Sequence, residues 1–151
     1  MTKEIIFSVI GGIIGFASSF FMWKIQVRYE QKNIAKAFIL EISSLEESLK
    51  IFVGMFNNPP PDPNIKYISI DQPFYTNGLF FSFRKEICFF NRELSKSLFT
   101  FYTDLLKAEE LRQMDKSGKF PPEIVNEGMK FYVLKIYDYI PELKKLLGKE
   151  C

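Results

Sequence analysis

Acidic residues occur in pairs at two points of the chain, and paired carboxylates are the groups that di-metal sites and acid–base catalysts use. The pairs are Glu46-Glu47 and Glu109-Glu110, with Asp104 close to the second pair. A di-iron bundle also needs histidines three positions after its glutamates, and this chain contains no histidine. The same absence excludes Ser-His-Asp and Cys-His catalysis. We therefore expect solvated acids and predict no catalytic, cofactor or metal site.

Two cysteines, Cys88 and Cys151, are the only thiols in the sequence. A secreted disulfide scaffold has more cysteines at a regular spacing, so two free thiols in a reducing compartment are expected. Cys88 lies beside Arg84 and Lys85. A nucleophilic cysteine is usually activated by a neighbouring base, and histidine is missing. The sequence therefore assigns no role to either thiol.

Basic residues recur every four positions at Lys24, Arg28, Lys32 and Lys36. At this spacing they share one slowly drifting face of a helix. Next to a bilayer, each of the first two or three would gain about 1 kcal/mol from anionic lipid. We therefore predict headgroup contact by Lys24, Arg28 and Lys32. The alternative is that the run serves only as a topology signal.

The apolar segment that precedes the basic run extends from Ile5 to Trp23, 19 residues without a charge. As a helix it spans roughly 28 Å, close to the roughly 30 Å of a bilayer core. A cleaved signal peptide is the alternative, with its apolar part ending at Phe16 and cleavage at residues 17–19. Because the apolar run continues to Trp23, an uncleaved transmembrane helix is favoured. The basic flank predicts an N-terminus outside and a body in the cytoplasm, at the plasma or inner membrane.

Small residues form a strip on this predicted span. Gly11, Gly15 and Ser19 follow one another at intervals of four residues. Such a strip lets two helix backbones approach closely in lipid, so we predict a transmembrane helix contact through these residues. The alternative is that glycine is simply common in membrane helices.

Apolar periodicity after the span predicts helices. A first stripe steps by three and four residues, close to a coiled-coil seam: Phe38, Ile42, Leu45, Leu49, Phe52 and Phe56. A second stripe is expected on a helix from about 84 to 114: Ile87, Phe90, Leu94, Leu98, Phe101 and Leu105, widened by Phe89, Phe99, Tyr102 and Leu106. A third helix is expected from Glu123 to about Ile140, where Pro141 stops or kinks it, with inward residues Ile124, Phe131, Leu134 and Ile140.

The predicted fold class is all-α, with one N-terminal transmembrane helix that continues into a cytosolic antiparallel three-helix bundle. The segments are a short outer tail (1–4), the span (5–23), a juxtamembrane and first cytosolic helix (24–56), a Pro-rich connector (57–72) and the helical remainder (73–151). The connector carries four prolines at 59–61 and 63, which cannot lie inside a helix.

The stretches "KNIAKAFILEI" and "SKSLFTFYTDLLKAEELR" lie after the single predicted span. In this pattern of residue types the chain resembles small prokaryotic single-pass membrane proteins with a helical cytosolic domain. The resemblance covers most of the chain. It implies the fold and the membrane location, but no activity, cofactor or functional residue.

These observations predict a membrane-anchored helical protein–protein interaction module, an accessory or scaffold subunit. Its partners would be the membrane and a second copy or another membrane protein. The net charge of +2 gives no drive toward nucleic acid, and no small-molecule substrate is indicated. The alternatives are a membrane-active toxin-like protein or a lipid-surface regulatory protein. An enzyme is not expected.

Overall fold

The structure, a computed structural model, describes residues 2–58, 78–118 and 121–151, with side chains for residues 7–58, 78–118, 121 and 124–151. Predictions that fall on residues 59–77, including most of the connector, lie outside the described residues. Within the described ranges all regular structure is helical, which confirms the all-α class. The elements are α1 (Thr2–Asn57), α2 (Leu79–Ser82), a 3₁₀ helix (Glu86–Phe89), α3 (Arg92–Ser117) and α4 (Pro122–Gly148).

Helix α1 has two halves with different surroundings. Residues 7–26 are exposed along their whole length, whereas from Ala35 onward every third or fourth side chain is buried. The first apolar stripe is thereby confirmed: Ala35 extends it upstream, and only Leu45 is half-buried. Among the described residues, α1 is the one helix that is long and apolar enough to cross a membrane.

Helix α3 begins later than its apolar stripe. It starts at Arg92, eight residues after the expected start near 84, because the chain is extended at Phe90 and the side chain of Asn91 caps the helix by accepting from the N–H of Leu94 at 2.8 Å. All six stripe residues are nevertheless buried, since Ile87 and Phe90 reach the core from the 3₁₀ segment. Phe89, which was expected to widen this buried stripe, does not do so, because its ring is exposed.

The turn between α3 and α4 follows from its residue types. Gly118 ends α3 with φ 63°, a left-handed conformation that costs glycine nothing, and its N–H donates to the carbonyl of Asp115 at 3.1 Å. Proline then occupies the first turn of α4, where a missing N–H removes no helical bond.

Helix α4 is longer than expected, and a different face of it is buried. It continues through Pro141, which is exposed, to Gly148. Ile124 and Phe131, which were expected inward, are 67% and 60% exposed, and Leu134 is only half-buried. The buried face, which includes the expected Ile140, consists of Val125, Met129, Val133, Ile136, Ile140, Leu143, Leu146 and Leu147.

Helix α4 packs against both α1 and α3. It is antiparallel to α3, because Asp104 pairs with Lys135 while Asn91, at the start of α3, bonds to Glu150 just after α4. Helix α1, in contrast, runs in the same direction as α3.

Two polar contacts establish the parallel arrangement of α1 and α3. The side chain of Gln31 donates to the carbonyl of Phe89, just before α3 begins, and Glu41, further along α1, accepts from the hydroxyl of Tyr102, further along α3. Positions therefore advance together in the two helices. The expectation of three alternating helices was therefore wrong for this pair. The reason is the long connection between Asn57 and Arg92, whose described part, from Leu79 to Phe89, runs back along α1 before α3 begins.

Candidate functional site

The exposed and buried halves of α1 meet at a surface that also includes the 3₁₀ segment. We call residues 23–34 and 83–92 the junction surface. The side-chain amide of Gln31 donates to the carbonyl of Phe89 at 2.9 Å and holds the 3₁₀ segment against α1. Between them lies a groove of about 280 Å³, lined by Trp23, Val27, Glu30, Gln31, Ile34, Glu86 and Phe89.

Two aromatic rings at this groove remain in contact with solvent. Trp23 is 60% exposed and Phe89 is 67% exposed. Trp23 also lies near Phe20, with ring centroids 5.8 Å apart. The junction surface therefore presents indole and phenyl rings outward, at the end of the exposed apolar half of α1.

Basic side chains are exposed on both parts of the junction surface. The predicted headgroup residues Lys24, Arg28 and Lys32 are all exposed on α1, and the segment around the 3₁₀ helix adds three further exposed basic residues: Arg84, Lys85 and Arg92. Ion pairs among the described residues do not include any of the six. The second basic group is not apparent from the sequence, because the apolar periodicity predicts that residues 84–92 lie inside a helix of the body.

The acids at the junction surface are few. Glu30 accepts from the side chain of Gln26 at 3.0 Å. One carboxylate oxygen of Glu86 is buried and has no hydrogen-bond partner within the described part of the chain. The local balance of charge is therefore positive.

The predicted small-residue strip lies on the exposed half of α1. Gly11, Gly15 and Ser19 are all exposed, and a Cβ built on either glycine meets no atom within 4 Å. The hydroxyl of Ser19 donates to the carbonyl of Gly15 at 2.9 Å, which satisfies it within the helix. The strip is therefore sterically open in the single chain, and its predicted contact remains a prediction.

Two acids that were expected on solvated faces are buried. The Oδ2 atom of Asp104 lies 2.7 Å from the Nζ atom of Lys135 in α4. The carboxylate of Glu109 accepts two hydrogen bonds from the guanidinium of Arg112, at 2.6 and 2.8 Å. The expectation was wrong because both positions continue the buried face of α3: Asp104 follows Phe101 by three residues, and Glu109 follows Leu105 by four. Glu47 and Glu110 are exposed, as expected.

Glu41 connects three elements of the body. One carboxylate oxygen accepts from the N–H of Leu79 at 3.0 Å, and the other accepts from the hydroxyl of Tyr102. The ring of Tyr102 is fully buried and stacks on Phe80 with centroids 4.7 Å apart. Glu41 therefore fixes α2 and α3 on α1, a structural role that its position beside the stripe did not reveal.

The remaining reactive side chains are dispersed. Cys88 and Cys151 are both exposed and free. A cleft of about 270 Å³ between α3 and α4 contains Asp104, already paired with Lys135. In the ranges that the structure describes, no three His, Cys, Asp or Glu residues are grouped so that they could hold a metal ion. The junction surface is thus the feature with the clearest chemical character: aromatic, basic and adjacent to an apolar helix.

Comparisons with protein-family models, with curated proteins and with solved structures found no match for this chain.

Proposed function

We propose that this chain is a membrane-anchored helical protein–protein interaction module, an accessory or scaffold subunit. Residues 5–23 of α1 cross the plasma or inner membrane, and the rest of α1 forms a cytosolic three-helix bundle with α3 and α4. The observation that carries this proposal is the division of α1: one uninterrupted helix has an exposed apolar half and a half whose stripe is buried in the body.

The exposed half of α1 supports membrane insertion. Bulky apolar side chains, among them Phe7, Ile13 and Phe16, lie on all sides of this helix and are more than half exposed. Each square ångström of apolar surface left in water costs about 25 cal/mol, and a soluble monomer rarely exposes more than a few hundred square ångströms in one patch. A bilayer removes this cost, since its hydrocarbon replaces water around every side of the helix.

The direction of insertion follows from charge. The exposed basic residues lie on the C-terminal side of the span, beginning with Lys24. Positively charged flanks stay in the cytoplasm, so the body lies inside and the N-terminus outside.

Partner binding is supported by exposed apolar residues outside the span. Leu40 and Ile51 are exposed on α1 and lie about three turns apart, which places them on one face. Ile124 and Phe131 similarly share an exposed face of α4. In the membrane, Gly11 and Gly15 are open to close approach by a second helix. A second copy or another membrane protein fits these features.

The native cysteines test the topology directly, because Cys88 and Cys151 are exposed in the proposed cytosolic body. In intact bacterial cells a membrane-impermeant maleimide should leave both thiols unlabelled, and it should label them after lysis. A Cys88→Ser/Cys151→Ser chain provides the background, and Thr2→Cys in that background should label without lysis. Labelling of the native thiols in intact cells would contradict the cytosolic location.

A further inference from the structure

We propose that the 3₁₀ segment forms a second membrane contact. In this arrangement Phe89 lies in the headgroup layer beside Trp23, and Arg84, Lys85 and Arg92 bind anionic headgroups. The partner is therefore an anionic lipid surface. The proposal rests on the insertion of α1 proposed above.

The depth of the 3₁₀ segment follows from its attachment to α1. With Trp23 at the edge of the hydrocarbon, the headgroup layer of roughly 6 Å covers about four residues of helix, as far as Val27. Phe89 lines one groove with Trp23 and Val27, and its carbonyl accepts from Gln31. Gln31 is only about 12 Å along the helix from Trp23. The ring of Phe89 therefore reaches the level of the headgroups.

The side chains at this depth suit an interface. Aromatic rings prefer the boundary between hydrocarbon and water. Phe89 remains two-thirds exposed although the neighbouring Ile87 and Phe90 are buried in the core. The ring of Phe89 is therefore outside the core although its neighbours belong to it, and it lies at one groove with the exposed indole of Trp23. Lipid that covers both rings would account for this exposure.

The charges are complementary to anionic lipid. Arg84, Lys85 and Arg92 are exposed, and together with Lys24 and Arg28 they outnumber the acids Glu30, Glu86 and Glu93 of the same region. Each basic residue near an anionic surface favours contact with that surface by about fivefold. Arg84 and Lys85, which precede the 3₁₀ helix, and Arg92, the first residue of α3, therefore add three basic residues to those that α1 carries at the junction surface.

Tryptophan fluorescence of the full-length chain in vesicles tests this contact. Trp23 is the only tryptophan, so Trp23→Phe removes the background signal, and Phe89→Trp then places an indole in the 3₁₀ segment. The matched control is Phe131→Trp in the same background, because Phe131 is similarly exposed but lies on α4, away from the junction surface. The vesicles contain phosphatidylcholine with phosphatidylglycerol, and the quencher is phosphatidylcholine brominated high on its acyl chain.

We expect brominated lipid to quench the indole at residue 89 to an extent comparable with native Trp23, and to leave the indole at residue 131 unquenched. In vesicles without phosphatidylglycerol the quenching at residue 89 should weaken. Arg84→Glu/Lys85→Glu should also weaken it, since loss of each favourable charge lowers the equilibrium for surface contact by about fivefold.

Three results would overturn the inference. Quenching of Trp23 without quenching at residue 89 removes the second contact and leaves α1 inserted. Quenching at residue 89 that is the same with and without phosphatidylglycerol refutes the anionic partner. No quenching of native Trp23 refutes insertion of α1, and with it both proposals. If Phe89→Trp fails to fold, a fluorophore attached to the exposed Cys88 in a Cys151→Ser chain gives the same depth measurement.

Discussion

Replacement of Leu98 by alanine tests whether the body is held by the packing described above. Leu98 lies in α3 and is fully buried, with no exposed surface. Leu98→Ala removes three carbon atoms from this position and introduces no charge. The helix itself should be unaffected, because alanine is the best helix former.

The expected loss of stability has two parts. Taking a leucine side chain out of a fully buried site forfeits its transfer free energy, and the cavity that remains adds a further cost. Together they amount to about 3–4 kcal/mol at a site that cannot collapse. For a chain of this size each kcal/mol lowers the melting temperature by about 4 °C, so a decrease of about 12–16 °C is expected.

The measurement is thermal unfolding of the full-length chain in a mild detergent, followed by far-UV circular dichroism. Phe131→Ala is the matched control, because it removes a larger side chain from a position that is 60% exposed. Exposed substitutions usually change stability by no more than about 0.5 kcal/mol, so its melting temperature should move by about 2 °C or less.

The comparison can refute both the core and the orientation of α4. If the Leu98→Ala chain has the same melting temperature as the parent, Leu98 is not packed in the core. A larger loss for Phe131→Ala than for Leu98→Ala would restore the inward position that the sequence suggested for Phe131.

Two further substitutions address the buried ion pair and the small-residue strip. Arg112→Met should cost about 3–5 kcal/mol, because it leaves the buried carboxylate of Glu109 without its guanidinium, and Glu109→Leu in the same chain should recover most of the melting temperature. A double variant as unstable as the single one would contradict this account. Gly15→Ile should weaken self-association of the isolated span in a bilayer reporter assay, whereas Ile13→Leu should change little. If both variants self-associate to the same extent as the parent, the strip is not a contact.

The helical class and two of the three apolar stripes could be predicted from the sequence for a physical reason. In α1 and α3, aliphatic and aromatic residues recur at three and four positions with charged residues between them, so only one face of each helix can be buried. Phe38 and Ile42 on α1, and Leu94 and Leu98 on α3, are fully buried as this pattern requires.

Helix α4 could not be oriented in the same way. Apolar and aromatic residues lie around most of its circumference, and both Ile124 and Val125 could begin an inward stripe. Packing against the other helices determines which face is buried: Val125 and Met129 are buried, whereas Ile124 and Phe131 are exposed. The junction surface was hidden for a related reason, because the capping role of Asn91 decides where α3 begins and hence that Phe89 lies outside it.

The absence of any interruption in α1 has a mechanical consequence. From Trp23 to Phe56 the helix is one rod of about 50 Å. Transmembrane helices tilt by about 20° on average, and a change of that size would move the far end of this rod sideways by about 17 Å. In the proposed membrane arrangement, a change in bilayer thickness that alters the tilt of α1 would therefore move the whole body sideways, because α4 packs on α1 and α3 packs on α4.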